Sequence, residues 1–209
     1  MDAIDLSDQF SAINKGITCG VVGSSGCGKT ALMAKVAQLA YQREESYSFT
    51  RASSETISHT AVVANDSQSS SCDENSSGRP VLIRFCGTSS ESSDALSLVR
   101  SLCLQMSLIF NQPSDWHFAT SVTDYSAAVQ QFHHLLQVHP VILFIDSLDQ
   151  LNDSYQGRSR LTFLSNISPH PDTRIIVSSL PDEVDPISGD WIYCYQCETR
   201  LKEWHIPIL

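Results

Sequence analysis

The residues that could do chemistry in this chain are concentrated in a glycine-rich stretch near its beginning. Gly23, Gly28, Lys29 and Thr30 follow the spacing G-x-x-x-x-G-K-[ST]. Glycines let the backbone curl so that successive N–H groups point inward, where they can hold phosphate oxygens. The lysine can reach the outer phosphates of a nucleotide, and the threonine hydroxyl can serve as a Mg²⁺ ligand. The stretch predicts a nucleotide-phosphate site formed by Gly23, Ser24, Ser25, Gly26, Cys27, Gly28, Lys29, Thr30 and Ala31.

Such a loop must lie between a strand and a helix. Residues 17–22 are apolar and β-prone, whereas residues 31–40 are rich in strong helix formers. We therefore predict a strand before the loop and a helix after it that ends near Arg43. The N-terminus of that helix would add its partial positive charge to the phosphate site.

A second candidate for chemistry follows the most continuous apolar run of the chain, residues 141–145. Asp146 comes directly after this run, and a carboxylate at the carboxyl end of a buried strand can hold Mg²⁺ opposite Thr30. Asp149 is the candidate catalytic residue, which would orient or activate a water molecule against the γ-phosphate. The segment from Ser147 to Asp149 could equally be an ordinary helix cap.

The remaining pattern predicts an α/β fold, because short apolar strands alternate with amphipathic helices. Strands are predicted at residues 81–86, 141–146 and 174–179, with a possible fifth at 191–195. Helices are predicted at residues 92–110, 124–137 and 155–167, with Ser89 and Ser90 as caps of the first and Thr123 or Asp124 as cap of the second.

Residues 44–78 differ from the rest in composition. They contain eleven serines and little apolar surface, too little to offset the entropy of ordering the chain. We expect a disordered surface insertion, and composition alone does not separate an inert spacer from a regulatory phosphorylation loop.

Length and charge restrict the possible functions. The 209 residues suffice for one sizeable α/β domain, or at most two small ones. A formal net charge of −10 disfavours binding to nucleic acid or to an anionic membrane, since both need a basic surface. Seven irregularly spaced cysteines indicate reduced thiols rather than a disulfide framework. We find neither a membrane-spanning apolar run nor a secretory signal pattern, so we expect a cytoplasmic protein.

Five segments together resemble the NACHT domain, which belongs to the STAND group of signal-transducing P-loop NTPases. They are residues 23–34, 84–89, 102–106, 143–151 and 174–181, and apart from the serine-rich stretch the resemblance extends from about residue 16 to residue 181. It is closest to NACHT domains of WD-repeat-containing proteins and of the nephrocystin and telomerase-associated type.

The resemblance implies a three-layer P-loop NTPase fold with a mostly parallel five-stranded sheet in the order 5-1-4-3-2, forming a single core over residues 1–209. It also implies a nucleotide-dependent switch that controls oligomerisation or partner docking and uses ATP with Mg²⁺, GTP remaining open. Lys29 would bind phosphate, Thr30 and Asp146 would hold Mg²⁺, and Asp149 would lie beside the attacking water.

The chain also departs from the family pattern. Many members have a basic residue after the fourth strand that senses the γ-phosphate, whereas residues 178–181 here read Ser-Ser-Leu-Pro. Asp149 is followed by Gln150 instead of a second acid. Both differences predict weak or absent hydrolysis, because less preorganised charge faces the transferring phosphate. The modules that close over the nucleotide and bind protein partners are not in the sequence, so we expect a fragment.

Three functional hypotheses follow. The first is an NTPase switch core, and the second is a scaffold that binds nucleotide but hydrolyses it negligibly. The third is a small nucleotide kinase. With 13 Lys plus Arg in the whole chain, no arginine-rich lid is recognisable that could grip a second phosphate group.

Overall fold

Four parallel strands form the centre of the fold. The computed structural model describes residues 17–58, 78–89, 92–112, 121–182, 200–202 and 207–209. The strands are β1 (Ile17–Val22), β2 (Val81–Phe85), β3 (Ile142–Asp146) and β4 (Arg174–Ser179). The helices are α1 (Lys29–Ser58), α2 (Ala95–Ile109) and α3 (Tyr125–Val138).

The strands lie in the order β1-β4-β3-β2, so β4 separates the strand before the glycine-rich loop from the strand that ends in Asp146. This order agrees with the last four places of the predicted sheet. The possible fifth strand at residues 191–195 lies outside the described residues. The other edge of β1 pairs with residues 207–209, where Gly20 N donates to Pro207 O (2.8 Å) and Leu209 N donates to Gly20 O (2.8 Å).

Strand β3 shows how the sheet is covered on both faces, because all five of its residues are buried. Ile142 and Phe144 pack in one core with Met33 of α1. Leu143 and Ile145 belong to the other core, which α2 and α3 help to form. The architecture is therefore α/β, with a parallel sheet between helices.

Aspartate side chains begin both α2 and α3. Asp94 Oδ1 accepts from Ser97 N (2.9 Å) at the start of α2, and Asp124 Oδ1 accepts from an N–H of the first turn of α3 (2.8 Å). The cap at Asp124 was predicted, whereas the predicted caps of α2 are wrong. Ser89 N instead donates to Ser92 Oγ (2.8 Å), so these serines close a turn before the helix begins.

The predicted end of α1 near Arg43 is wrong, and so is the start of a disordered insertion at residue 44, because α1 continues to Ser58. Glu44 is 9% exposed and accepts from Arg79 Nη2 (2.6 Å) and Arg79 N (3.0 Å). Ser46 Oγ donates to a carbonyl of the preceding turn (2.8 Å), which lets a serine sit within the helix. Residues 59–77 of the predicted insertion lie outside the described residues.

The helix predicted at residues 155–167 is also wrong. The chain makes a 3-10 turn at Ser154–Gln156 and then a series of turns, with positive φ at Tyr155, Gln156, Leu161 and Asn166. Phe163 and Leu164 are nevertheless buried in the core. The apolar residues whose spacing predicted a helix are therefore buried by an irregular segment.

Candidate functional site

The glycine-rich loop connects β1 to α1 and is exposed along most of its length. Gly26 has φ +75° and Gly28 has φ +96°, a backbone region that favours glycine. A Cβ added at either position would meet no atom within 4 Å. The two glycines are thus required by the backbone conformation and not by packing, and there is open space beside both. Among the predicted phosphate-binding residues, the exposed ones are Ser24, Ser25, Gly26, Cys27, Gly28, Thr30 and Ala31.

Lys29 is the first residue of α1 and folds back over the loop. Its Nζ donates to Gly23 O (2.6 Å) and to Ser24 O (3.0 Å). Both acceptors are backbone carbonyls of the loop itself, so the ammonium group is held beside the loop amides. This is the position from which a lysine can reach a phosphate bound by those amides.

Thr30 and Asp146 are brought together from positions 116 residues apart. Thr30 Oγ1 donates to Asp146 Oδ2 at 2.7 Å, and Asp146 is 2% exposed at the end of β3. Because the hydroxyl proton points to the carboxylate, lone pairs of Oγ1 remain available for a cation. The two oxygens predicted to bind Mg²⁺ are adjacent.

Two serines complete the surroundings of Asp146, and neither was predicted from the sequence. Ser178 Oγ donates to Asp146 Oδ1 (2.5 Å), and Ser147 Oγ donates to Asp146 Oδ2 (3.2 Å). The signal that could have found Ser178 is the register of parallel pairing, which aligns Ile145 with Val177 and so places Asp146 beside Ser178.

Asp149 lies in the 3-10 turn Leu148–Gln150 and is 3% exposed. Its Oδ1 accepts from Leu180 N (2.8 Å), and its Oδ2 accepts from Gln150 Nε2 (2.5 Å). Both carboxylate oxygens therefore have donors, and the side chain ties the loop after β3 to the residue after β4. Ser147 stands at the start of this turn, as in the alternative interpretation as a helix cap, but its side chain makes no capping hydrogen bond.

The chemistry of these groups fits Mg²⁺ bound together with a phosphate. Among the described residues, no group of three or more His, Cys, Asp or Glu side chains could hold a metal ion. Thr30 and Asp146 would supply two oxygens, and the other ligands would come from phosphate and water. Mg²⁺ is commonly bound in this way, through one or two protein oxygens plus substrate phosphates.

Neither a scan against models of protein families nor a search of the curated proteins finds a match for this chain. In the part of the chain that the structure describes, none of the helices is both long enough and apolar enough to cross a membrane.

Proposed function

We propose that the chain binds a nucleoside triphosphate, preferentially ATP, together with Mg²⁺ at residues 23–31 and Asp146. In this proposal it is the nucleotide-binding core of a NACHT-type switch with a P-loop NTPase fold. The hydrogen bond between Thr30 and Asp146 is the observation that supports the proposed nucleotide and Mg²⁺ site. The two halves of the motif lie far apart in the sequence, and their contact is what a shared phosphate and cation site requires.

The loop offers two sources of positive potential to a triphosphate. Its backbone N–H groups precede a helix of 30 residues whose first turn contains no acidic side chain, so the helix N-terminus attracts an anion. Lys29 supplies the second. Phosphate oxygens would replace Gly23 O and Ser24 O as its acceptors, and an ammonium–phosphate bond is stronger than an ammonium–carbonyl bond.

Mg²⁺, when bound, neutralises charge on the outer phosphates, and Thr30 and Asp146 are the residues that would hold it. Asp146 is fixed at the end of a fully buried strand, so its carboxylate position is set by the sheet and not by a mobile loop. Thr30 lies one residue after Lys29, which places the cation ligand next to the phosphate ligand.

The same geometry favours slow or absent hydrolysis. Asp149 is 3% exposed and each of its carboxylate oxygens already accepts a hydrogen bond from the protein, so little of the carboxylate is accessible to an attacking water. The region 178–181, where the resemblance expects a basic sensor, contains no basic residue, and its Ser178 is bonded to Asp146. Nucleotide binding with little turnover, as in the scaffold hypothesis, is accordingly the second candidate function.

Nucleotide titration of two lysine variants tests the proposal. Binding of ATP and of GTP, each with Mg²⁺, is measured by calorimetry for wild type, Lys29→Ala and Lys35→Ala. Lys35 is the matched control, because it lies on the same helix and its Nζ bonds only to Gln38 Oε1 (3.0 Å) among the contacts described. We expect Lys29→Ala to weaken ATP binding at least about tenfold, as loss of a charged hydrogen bond removes about 1.5–3 kcal/mol.

Lys35→Ala should bind like the wild type. The proposal fails if the wild type binds neither nucleotide, or if Lys29→Ala and Lys35→Ala bind equally well.

A further inference from the structure

Strand β4 ends in two adjacent serines that are both fully buried and differ in their hydrogen bonds. Ser178 Oγ donates to Asp146 Oδ1 and accepts from Ser147 N (2.9 Å). Ser179 Oγ has no hydrogen-bond partner in the described part of the chain. Of the two buried serines, Ser178 thus has hydrogen-bond partners among the described residues and Ser179 Oγ has none.

The alternation of side chains along β4 explains this difference. Ile176 packs in the core that contains Met33 of α1, and Val177 belongs to the opposite core. Ser178 therefore points to the α1 side, where Asp146 and Thr30 meet, and Ser179 points to the other side.

The direction of the Ser178 proton is fixed by the second bond. A hydroxyl has one proton and two lone pairs. Ser147 N donates to one lone pair of Ser178 Oγ, and the Asp146 carboxylate can only accept, so the Ser178 proton points toward Asp146 Oδ1. The hydroxyl thereby holds Oδ1 while Thr30 holds Oδ2, and the plane of the carboxylate is set from both sides.

We propose that Ser178 is the positioning residue that orients the Asp146 carboxylate for Mg²⁺, an inference that rests on the proposed nucleotide site. Hydrogen bonds to a ligating carboxylate set its orientation, and loss of such a partner typically weakens metal affinity about 10–100-fold.

The test measures the Mg²⁺ concentration that gives half-maximal ATP binding, together with ATP affinity in EDTA. Wild type, Ser178→Ala and Ser179→Ala are compared, and Ser179→Ala is the control because it removes a buried hydroxyl that has no partner. We expect Ser178→Ala to raise the half-maximal Mg²⁺ concentration about 10–100-fold. Its ATP affinity in EDTA should be unchanged, and Ser179→Ala should match the wild type in both measurements.

A further variant, Ser178→Cys, keeps the shape of the side chain and replaces a strong donor by a weak one. It should require more Mg²⁺ than the wild type even if Ser178→Ala does not fold. An unchanged Mg²⁺ requirement in the folded Ser178 variants overturns the role of Ser178, as does an equal loss of affinity with and without Mg²⁺. Absence of Mg²⁺-dependent binding in the wild type overturns the proposed function itself, and this inference with it.

Discussion

Replacement of Asp149 by alanine should destabilise the fold, because Asp149 joins the segments that follow β3 and β4. The carboxylate is 3% exposed and accepts from Leu180 N and Gln150 Nε2. In Asp149→Ala both donors lose their acceptor; water can pair with the exposed Gln150 amide, whereas Leu180 N is partly buried, and leaving such a donor unpaired costs about 1–3 kcal/mol. A loss of about 2 kcal/mol corresponds to a decrease in Tm of about 4–8 °C for a chain of this size.

Asp149→Asn is the matched variant. Its carboxamide oxygen can still accept from Leu180 N, and a flipped Gln150 amide can accept from its NH2 group. We therefore expect its Tm to lie within about 3 °C of the wild type, since less than about 1 kcal/mol is lost.

Thermal unfolding followed by circular dichroism measures both variants, and single-turnover ATP hydrolysis is measured on the same samples. If Asp149→Ala melts at the wild-type temperature, the hydrogen bonds to Asp149 do not support the fold as we infer. The rate of ATP hydrolysis by Asp149→Asn distinguishes the structural role of Asp149 from its predicted catalytic role, because this variant keeps the hydrogen bonds. Asparagine cannot accept a proton, so a true general base would lose about 10²–10⁴-fold in rate.

Two further variants test contacts outside the nucleotide site. Hydrogen bonds from Arg79 lower the pKa of Glu44, so this pair stabilises the fold above the unfolded-state pKa of about 4.3 and loses its effect as pH falls through the lower folded-state pKa. Glu44→Gln should therefore melt below the wild type at neutral pH, with the gap closing on acidification; a gap independent of pH would contradict this. Gly87→Ala should lower the urea midpoint, because Gly87 has φ +72° and an added Cβ would lie 2.5 Å from Gln150 Cβ. A urea midpoint equal to that of the wild type would show that the loop accommodates the added Cβ without loss of stability.

The parts of the fold that could be predicted from sequence are those that local pattern determines. The apolar runs identified β2, β3 and β4 to within a residue, because strands covered on both faces must be continuously apolar. Thr30 and Asp146 could be paired in advance because each stands at a fixed place relative to a strand.

What could not be predicted depends on contacts between distant segments. The predicted end of α1 near Arg43 missed a bond just beyond it, between Glu44 and Arg79, which are 35 residues apart. The irregular backbone around Tyr155 buries the same apolar residues that a helix would bury, so periodicity could not separate the two. The role of Ser178 becomes visible only when β4 is known to lie beside β3 in a particular register.

The position of β4 also determines when the site can form. β4 is the last of the four described strands along the chain, yet it lies between β1 and β3. Until Arg174–Ser179 is inserted, β1 and β3 share no hydrogen-bonded neighbour, and only the packing of α1 on β3 brings Thr30 toward Asp146 among the contacts described. A chain emerging during synthesis would therefore carry its phosphate loop from the start without a cation site, because the long-range pairing completes late. The phosphate loop is thus synthesised first, but it can bind a nucleotide together with Mg²⁺ only after β4 has been inserted.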